Sequence, residues 1–236
     1  MADQLPLATP AADSAAAAIL DAAEELFARQ GYAATSVKQI GTAAGVNPAL
    51  LYYYFGDKDG LYRAALARVF GAIELNVGER LERPVPPADM LRTVVRFQAA
   101  FFATRPHAAR LLMREIVDHE ARHGAEEVAR FARTVFAGLC DVIRAGQAAG
   151  HFRAELRPEF AAFSTVGQMV YFALVQPLAA QLLADLPDDR ARRLHLFAEH
   201  AAEFAVAALA APTAPTAPAT YATSAAAPAL ASADPP

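Results

Sequence analysis

Residues 35–62 read TSVKQIGTAAGVNPALLYYYFGDKDGLY, and this stretch decides the fold of the N-terminal part of the chain. Ser36 and Gln39 have the S-x-x-Q spacing of a capping box, in which side chains satisfy the free amides at a helix start. Gly45 supplies the backbone freedom that a tight turn requires. The pattern therefore predicts a short helix that begins after Ser36 and ends in a turn at Gly45.

A second short helix is predicted immediately after that turn. Asn47 is a strong N-cap residue, and Leu51 and Phe55 lie four residues apart, so they share one buried edge. Tyr52 and Tyr53 must then point away from that edge. Two short helices of this kind, with a polar and aromatic outer face on the second, are typical of a helix-turn-helix, which places its second helix in the DNA major groove.

The N-terminal quarter resembles the DNA-binding head of the tetracycline-repressor (TetR) family of bacterial transcriptional regulators. The matching positions are Ile19–Phe27, Gly31–Tyr32, Thr35, Ile40, Ala43–Val46, Leu51–Tyr52, Tyr54–Phe55, Lys58 and Leu61–Tyr62. The resemblance implies phosphate contacts from Thr35, Lys38, Tyr52, Tyr53 and Lys58. It also implies base-edge contacts from Lys38, Asn47, Pro48, Ala49 and Leu50, with Ser36 beside them. The expected nucleic-acid partner is a double-stranded DNA operator.

Length and helical periodicity predict an all-α protein of about nine helices. We expect a disordered N-terminus over residues 1–12 and a three-helix DNA-binding domain over 13–75, with its motif at 36–55. A helical regulatory and dimerisation domain should follow over 76–210, and the candidate hinge between head and body is Arg83–Pro87, where the long helix after Asp57 is expected to stop. The Ala/Pro-rich segment 211–236 has too few residues that can form a core, which predicts a disordered tail.

The net charge of the chain does not indicate nucleic-acid binding. The net charge is −4, and residues 1–63 contain seven acidic and four basic side chains. The two lysines of the chain, Lys38 and Lys58, both lie in the motif. A lysine in the first turn of a helix opposes the macrodipole, whereas a helix N-terminus with a lysine can bind a phosphate. We therefore interpret Lys58 as a phosphate contact; chance placement is the alternative.

Residues 160–184 contain no charged side chain and are long enough to span a bilayer. Their internal polar residues and lack of a positive flank favour burial instead. A second broad apolar face runs from Leu194 to Leu209 on the next predicted helix. Two such helices from each subunit would form a four-helix interface, as the resemblance also implies, so a homodimer is expected and membrane association is not.

The body contains most of the aromatic residues, and helical bundles build ligand sites between facing helices. The candidate ligand-binding residues are Phe97, Phe101, Met113, Phe131, Met169 and Phe172. This apolar character favours a small hydrophobic or aromatic effector, although Arg96, Arg105 or Arg110 could anchor one acidic group.

No enzyme, cofactor or nucleotide motif is recognisable. Glu115, His119 and His123 fall four residues apart on one helical stripe, a spacing that can bring two imidazoles to a metal ion. The neighbouring stripe of Arg114, Asp118 and Arg122 alternates in charge, which favours a solvated face. We therefore expect neither a metal site nor a cofactor.

The chain has no signal-peptide pattern at Met1 and one cysteine, Cys140, at a position typical of helix packing. We expect a cytoplasmic protein that is not an enzyme. The favoured function is a DNA-binding transcriptional regulator, and specifically a repressor released by an effector. The alternative is an all-helical small-molecule carrier with a vestigial DNA-binding head.

Overall fold

The computed structural model describes residues 12–81, 85–183 and 185–212. The predicted terminal tails lie outside these ranges, apart from residues 12, 211 and 212. Two residues of the predicted hinge, at positions 83 and 84, also lie outside them.

The described residues are helical and contain no strand, which confirms the all-α class. One isolated antiparallel bridge joins Phe152 to Ala210. The helices are α1 Ala12–Ala34, α2 Val37–Ala44, α3 Pro48–Phe55, α4 Lys58–Leu81, α5 Pro87–Thr104, α6 Ala108–His119, α7 Ala125–Phe131, α8 Ala137–Ala148, α9 Pro158–Leu174, α10 Gln176–Leu182 and α11 Arg190–Leu209. A π-helical turn, Ala132–Phe136, joins α7 to α8 without a break.

The helix-turn-helix forms with the predicted caps. Ser36 and Gln39 make the reciprocal capping box at the start of α2. Gly45 ends α2 with a φ of 67°, in the left-handed region that favours glycine. The Asn47 Oδ1 atom accepts a 2.9 Å hydrogen bond from the Ala49 amide and so begins α3. Local side-chain chemistry alone therefore sets both ends of the turn.

One hydrophobic core holds the three head helices against the start of α4. It contains the fully buried residues Ile19, Phe27, Ile40, Leu61 and Leu66 and continues into the body through Val95 and Leu111. The regular part of α1 ends at Gly31, whose φ of 84° and ψ of 169° are not helical. The head is thus packed directly on α4 and α6 rather than suspended from the body by a linker alone.

Helices α5 and α11 pack side by side and are joined by two forked ion pairs. The Arg92 guanidinium donates to both carboxylate oxygens of Glu203 at 2.7 and 3.0 Å. One helical turn further along, Arg96 donates to both oxygens of Glu199 at 2.8 Å. Because bidentate pairs fix the orientation of both groups, these contacts set the register between the two helices.

The uncharged stretch of residues 160–184 does not form one continuous helix, because the helix is interrupted at Val175. This residue lies two positions before Pro177, whose ring removes a backbone donor and disfavours helical backbone before it. The Gln176 side chain at the break is buried and donates to the Phe172 carbonyl at 3.2 Å.

Within the described ranges, no helix is both long and apolar enough to cross a lipid bilayer.

Helices α9, α10 and α11 leave large apolar side chains in solvent. Phe163 is 65% exposed, Leu182 70% and Phe204 58%. The set, called here the apolar face, comprises Phe160, Phe163, Tyr171, Leu178, Leu182, Leu183, Leu196 and Phe204. Large contiguous apolar patches mark interaction surfaces, so the apolar face is a candidate for one.

Candidate DNA-binding and effector sites

Helix α3 presents an aromatic outer face. Leu51 is buried at 2% exposure, whereas Tyr52 is 55% and Tyr53 80% exposed. Lys38 on α2 and Ala49 at the start of α3 are exposed as well. The structure exposes most of the predicted DNA-contacting residues, while Pro48 and Leu50 are half-buried beside them. Together they form the surface called here the DNA face: Ser36, Lys38, Asn47, Pro48, Ala49, Leu50, Tyr52 and Tyr53.

Thr35 does not belong to this surface, and its predicted phosphate contact is wrong for the structure described. The residue is 1% exposed. Its hydroxyl donates to the Gly31 carbonyl at 2.7 Å and accepts from the Gln30 amide at 3.2 Å. Because both hydroxyl functions are used inside the head, Thr35 stabilises the α1–α2 turn instead.

Lys58 begins α4 with its ammonium group over an aromatic ring. The Nζ atom lies 4.3 Å from the centroid of the Tyr32 ring, a distance at which the ring quadrupole attracts a cation. Partial burial lowers the pKa of Lys58 below its usual range. Asp57 caps the helix through a 2.7 Å hydrogen bond from the Gly60 amide. The ammonium is thus held beside the first turn of α4, the placement that phosphate binding at a helix N-terminus requires.

The body contains an apolar cavity of about 170 Å³ between α4, α5, α6, the α7 end and α9. Four of the six predicted ligand-binding residues line it: Phe97, Phe101, Met113 and Phe131. The other two are wrong for this cavity, because Met169 is fully buried in the core and Phe172 stacks on Phe197 with ring centroids 3.9 Å apart. Further lining residues that the sequence did not single out are Phe70, Ile73, Gln98, Phe102, Leu112, Ile116, Val166 and Val170.

Gln98 is the one amide side chain in the cavity wall. Its Nε2 group donates to the Val166 carbonyl at 3.3 Å, while its Oε1 atom is buried and accepts no hydrogen bond from any described residue. Gln98 also lines a smaller adjoining hollow of about 30 Å³ beside the π turn. A buried acceptor without a donor costs free energy, so this oxygen is a natural anchor for a donor group on a bound molecule.

The arginines considered as acid anchors have other contacts. Arg96 is held by Glu199, as described above. The Arg105 guanidinium lies 5.9 Å from the Phe101 ring centroid and 3.8 Å from Glu24. Phe101 lines the cavity, so Arg105 lies beside one of its lining residues, whereas Arg110 is exposed on α6.

The interpretation of Glu115 as part of a solvated face is wrong. Helix α6 ends at His119, and the next residues, Glu120 and Ala121, have left-handed φ angles of 52° and 59°. The chain therefore folds back, and His123 lies beside Glu115, which is only 1% exposed. The neighbouring stripe of Arg114, Asp118 and Arg122 is expected to carry ion pairs, and Arg114 does pair with Asp118 at 3.2 Å.

Cys140 has the packing role expected from the sequence. It is 2% exposed on α8 and belongs to the second core cluster with Leu139 and Ile143. Burial raises the pKa of its thiol, so the reactive thiolate form is disfavoured.

Two family profiles match the chain. Residues 19–65 match the family described as "Bacterial regulatory proteins, tetR family", and residues 87–201 match "Tetracyclin repressor-like, C-terminal domain". The HTH-type transcriptional repressor NicS from Pseudomonas putida is 26% identical over 178 residues, which cover 74% of this chain and 83% of that protein.

Solved structures have the same fold. A bacterial regulatory protein of the tetR family from Rhodococcus RHA1 superposes with a TM-score of 0.70 at 22% identity, covering 84% of this chain and 98% of that one. AibR, solved in complex with isovaleryl coenzyme A and operator DNA, superposes with a TM-score of 0.63 at 22% identity, covering 84% and 99%.

Proposed function

Because this chain belongs to the TetR family of bacterial regulatory proteins, we propose that it is a transcriptional repressor that binds a palindromic operator as a homodimer. A small apolar effector that fills the body cavity releases it from DNA. The observation that carries this proposal is the DNA face, on which Tyr52 and Tyr53 are exposed on a helix whose opposite edge is buried.

The exposed tyrosines contribute little to the packing of the head beyond an edge-to-face contact of Tyr53 with Tyr54 at 5.1 Å. Tyrosine hydroxyls and lysine ammonium groups are common phosphate contacts, and the first residues of α3 are those that reach base edges in a helix-turn-helix. The head has few basic side chains, so affinity depends on a small number of placed groups, chiefly Lys38 and Lys58.

The apolar face supports assembly with a second copy of the chain. Helices α9 and α11 pack against each other and both contribute to this face. An isologous contact of two such helix pairs would bury Phe160, Phe163 and Phe204 in a four-helix arrangement. The resulting two-fold axis would place two DNA faces on successive half-sites, which explains the expected palindrome.

The cavity supports an effector with an apolar part of modest size. A cavity of about 150 Å³ lined by aliphatic and aromatic side chains accommodates benzene, so about 170 Å³ suits a single ring or a short branched chain. The Gln98 Oε1 atom favours a molecule with one hydrogen-bond donor at its buried end. An acyl coenzyme A is a second candidate class, by analogy with the AibR complex; its acyl chain would fill the cavity but would leave the Gln98 oxygen without a donor.

A mobility-shift titration tests this proposal with DNA from the region upstream of the protein's own gene. The expected result is a single shifted complex, with specific affinity at nanomolar concentrations, that competitor DNA of unrelated sequence does not displace. The Tyr53→Ala variant should lose this complex. Retention of an apolar ligand without specific DNA binding would instead support a carrier with a vestigial head.

A further inference from the structure

Three potential metal ligands converge where the end of α6 meets the start of α4. Glu115, His119 and His123 each offer one donor atom, and these three atoms lie within 4.8 Å of one another. The two imidazole rings have centroids 4.7 Å apart and are nearly perpendicular, at 87°. The cluster forms because the left-handed turn after His119 returns His123 toward Glu115.

The two oxygens of Glu115 have different surroundings. Oε1 accepts hydrogen bonds from the backbone amides of His123 and Gly124, at 2.8 and 2.9 Å. Oε2 is buried and accepts no hydrogen bond of ordinary geometry from the described residues, but the Tyr62 hydroxyl interacts with the same carboxylate; burial and this carboxylate together raise the pKa of that hydroxyl. Oε2 faces the Nδ1 atom of His123 at 3.4 Å, and that nitrogen is also buried without a hydrogen bond. One carboxylate is therefore fixed in place by its first oxygen while its second is directed at an imidazole nitrogen.

The second ring nitrogen of His123, Nε2, lies close to a different carboxylate, that of Asp59. Nε2 lies 3.5 Å from Oδ1 of Asp59 on α4. Metal-binding histidines commonly direct their second nitrogen at a carboxylate, which selects the tautomer and orients the ring. With the proton on Nε2, Nδ1 of His123 has a free lone pair that points at the same space as Glu115 Oε2.

We propose that Glu115, His119 and His123 form a binding site for a divalent transition-metal ion, best matched by zinc. Two imidazole nitrogens and one carboxylate oxygen are a set of three protein ligands that zinc accepts, with water in the fourth position. Zinc–nitrogen bonds of about 2.0–2.1 Å place tetrahedral donor atoms about 3.3 Å apart, so donor atoms that now lie up to 4.8 Å apart must draw together when the ion binds. The ion would join the end of α6 to His123 in the loop that follows it, and Asp59 would link His123 to the start of α4.

The arrangement has one physical rival that needs no metal. A protonated His123 would present an N–H group to each of Asp59 and Glu115. Both distances, 3.5 and 3.4 Å, are longer than the 2.7–3.2 Å usual for such hydrogen bonds. In the rival, His119 only packs edge-to-face on Tyr32 and Tyr62, whereas the metal site uses it as a ligand, so zinc affinity in a His119 variant distinguishes the two.

The test is thermal unfolding and isothermal titration of the full chain with zinc chloride, after removal of metals with a chelator. At about a hundredfold excess over the dissociation constant, zinc should raise the Tm by roughly 5 °C or more. The His119→Ala variant should bind zinc at least about tenfold more weakly, and the matched control His151→Ala, at an exposed position, should bind as the wild type does.

Cobalt substitution gives an independent measurement on the unmodified protein. Bound Co²⁺ should develop visible absorption bands of a low-symmetry nitrogen and oxygen environment, and zinc should displace them. Glu115→Gln, which keeps an acceptor oxygen for the two backbone amides, should lose these bands while remaining folded by circular dichroism. Absence of a zinc effect on the wild type, or equal zinc affinity in wild type and His119→Ala, would overturn the proposal.

Discussion

The ammonium group of Lys58 lies 4.3 Å above the ring of Tyr32, so a residue of α1 positions a cation at the start of α4. We expect Lys58→Ala to weaken binding to all DNA sequences by a similar factor. Removal of one phosphate contact should also lower the slope of log affinity against log salt by about one. Fluorescence anisotropy at several salt concentrations measures both quantities.

The control for this experiment is Arg133→Ala, which removes an exposed cation from the π turn in the body. It should leave affinity and salt slope unchanged. Lys58→Arg should preserve most of the affinity. If Lys58→Ala behaves like Arg133→Ala, Lys58 does not contact phosphate.

Two glycines on α4 should respond oppositely to replacement by alanine. A Cβ atom at Gly60 would collide with the Phe55 carbonyl oxygen at the junction of α3 and α4, whereas one at Gly71 meets nothing within 4 Å. We expect Gly60→Ala to reduce the free energy of unfolding by about 1–3 kcal/mol. Gly71→Ala should increase it by about 0.5–1 kcal/mol. Denaturant unfolding measures the free energy of unfolding of both variants. Equal changes at Gly60 and Gly71 would contradict this prediction.

Two buried glutamines allow a similar comparison. The Gln98 Oε1 atom has no hydrogen bond, whereas Gln176 donates to the Phe172 carbonyl and accepts from Arg193 at 2.8 Å. Gln98→Leu should therefore be neutral or stabilising by up to about 1 kcal/mol, and Gln176→Leu destabilising by about 1–3 kcal/mol. Gln98→Leu should also weaken the binding of any effector that donates a hydrogen bond to Gln98 in the cavity. Destabilisation by both changes would contradict the absence of a hydrogen bond at Gln98 Oε1.

The apolar face gives a prediction about assembly. Phe204→Glu should produce monomers at micromolar concentration in sedimentation velocity, because a charge would be buried in the dimer. Operator affinity should also fall, since binding to both half-sites needs two linked heads. Leu75→Glu is the matched control, because Leu75 is 70% exposed but lies on α4. A dimeric Phe204→Glu protein would place the interface elsewhere.

The head could be predicted from the sequence because local chemistry specifies it. Ser36, Gln39, Gly45 and Asn47 each act on residues within four positions, and the structure uses each as expected. Thr35 could not be assigned in the same way, because its burial depends on the Gly31 kink in the preceding helix.

The candidate sites of the body were less predictable. Helical periodicity separates buried from exposed positions, but it does not separate Phe101, which lines the cavity, from Phe172, which packs on Phe197. The position of His123 beside Glu115 could not be predicted for another reason. Glu120 and Ala121 adopt left-handed backbone without a glycine, so no local signal ended the helix there, and the proximity of Glu115 to His123 arises only in three dimensions.

The π turn between α7 and α8 has a consequence for how the length of this protein can vary. The Ala137 amide donates to the Ala132 carbonyl, five residues back rather than four, so this turn encloses one residue more than an α-helical turn. A one-residue deletion elsewhere in a helix rotates everything beyond it by about 100°. Here the same deletion would restore continuous α-helix while Phe131 and Leu139 keep their inward orientation. Natural relatives one residue shorter at this point would therefore still superpose along both halves of the helix.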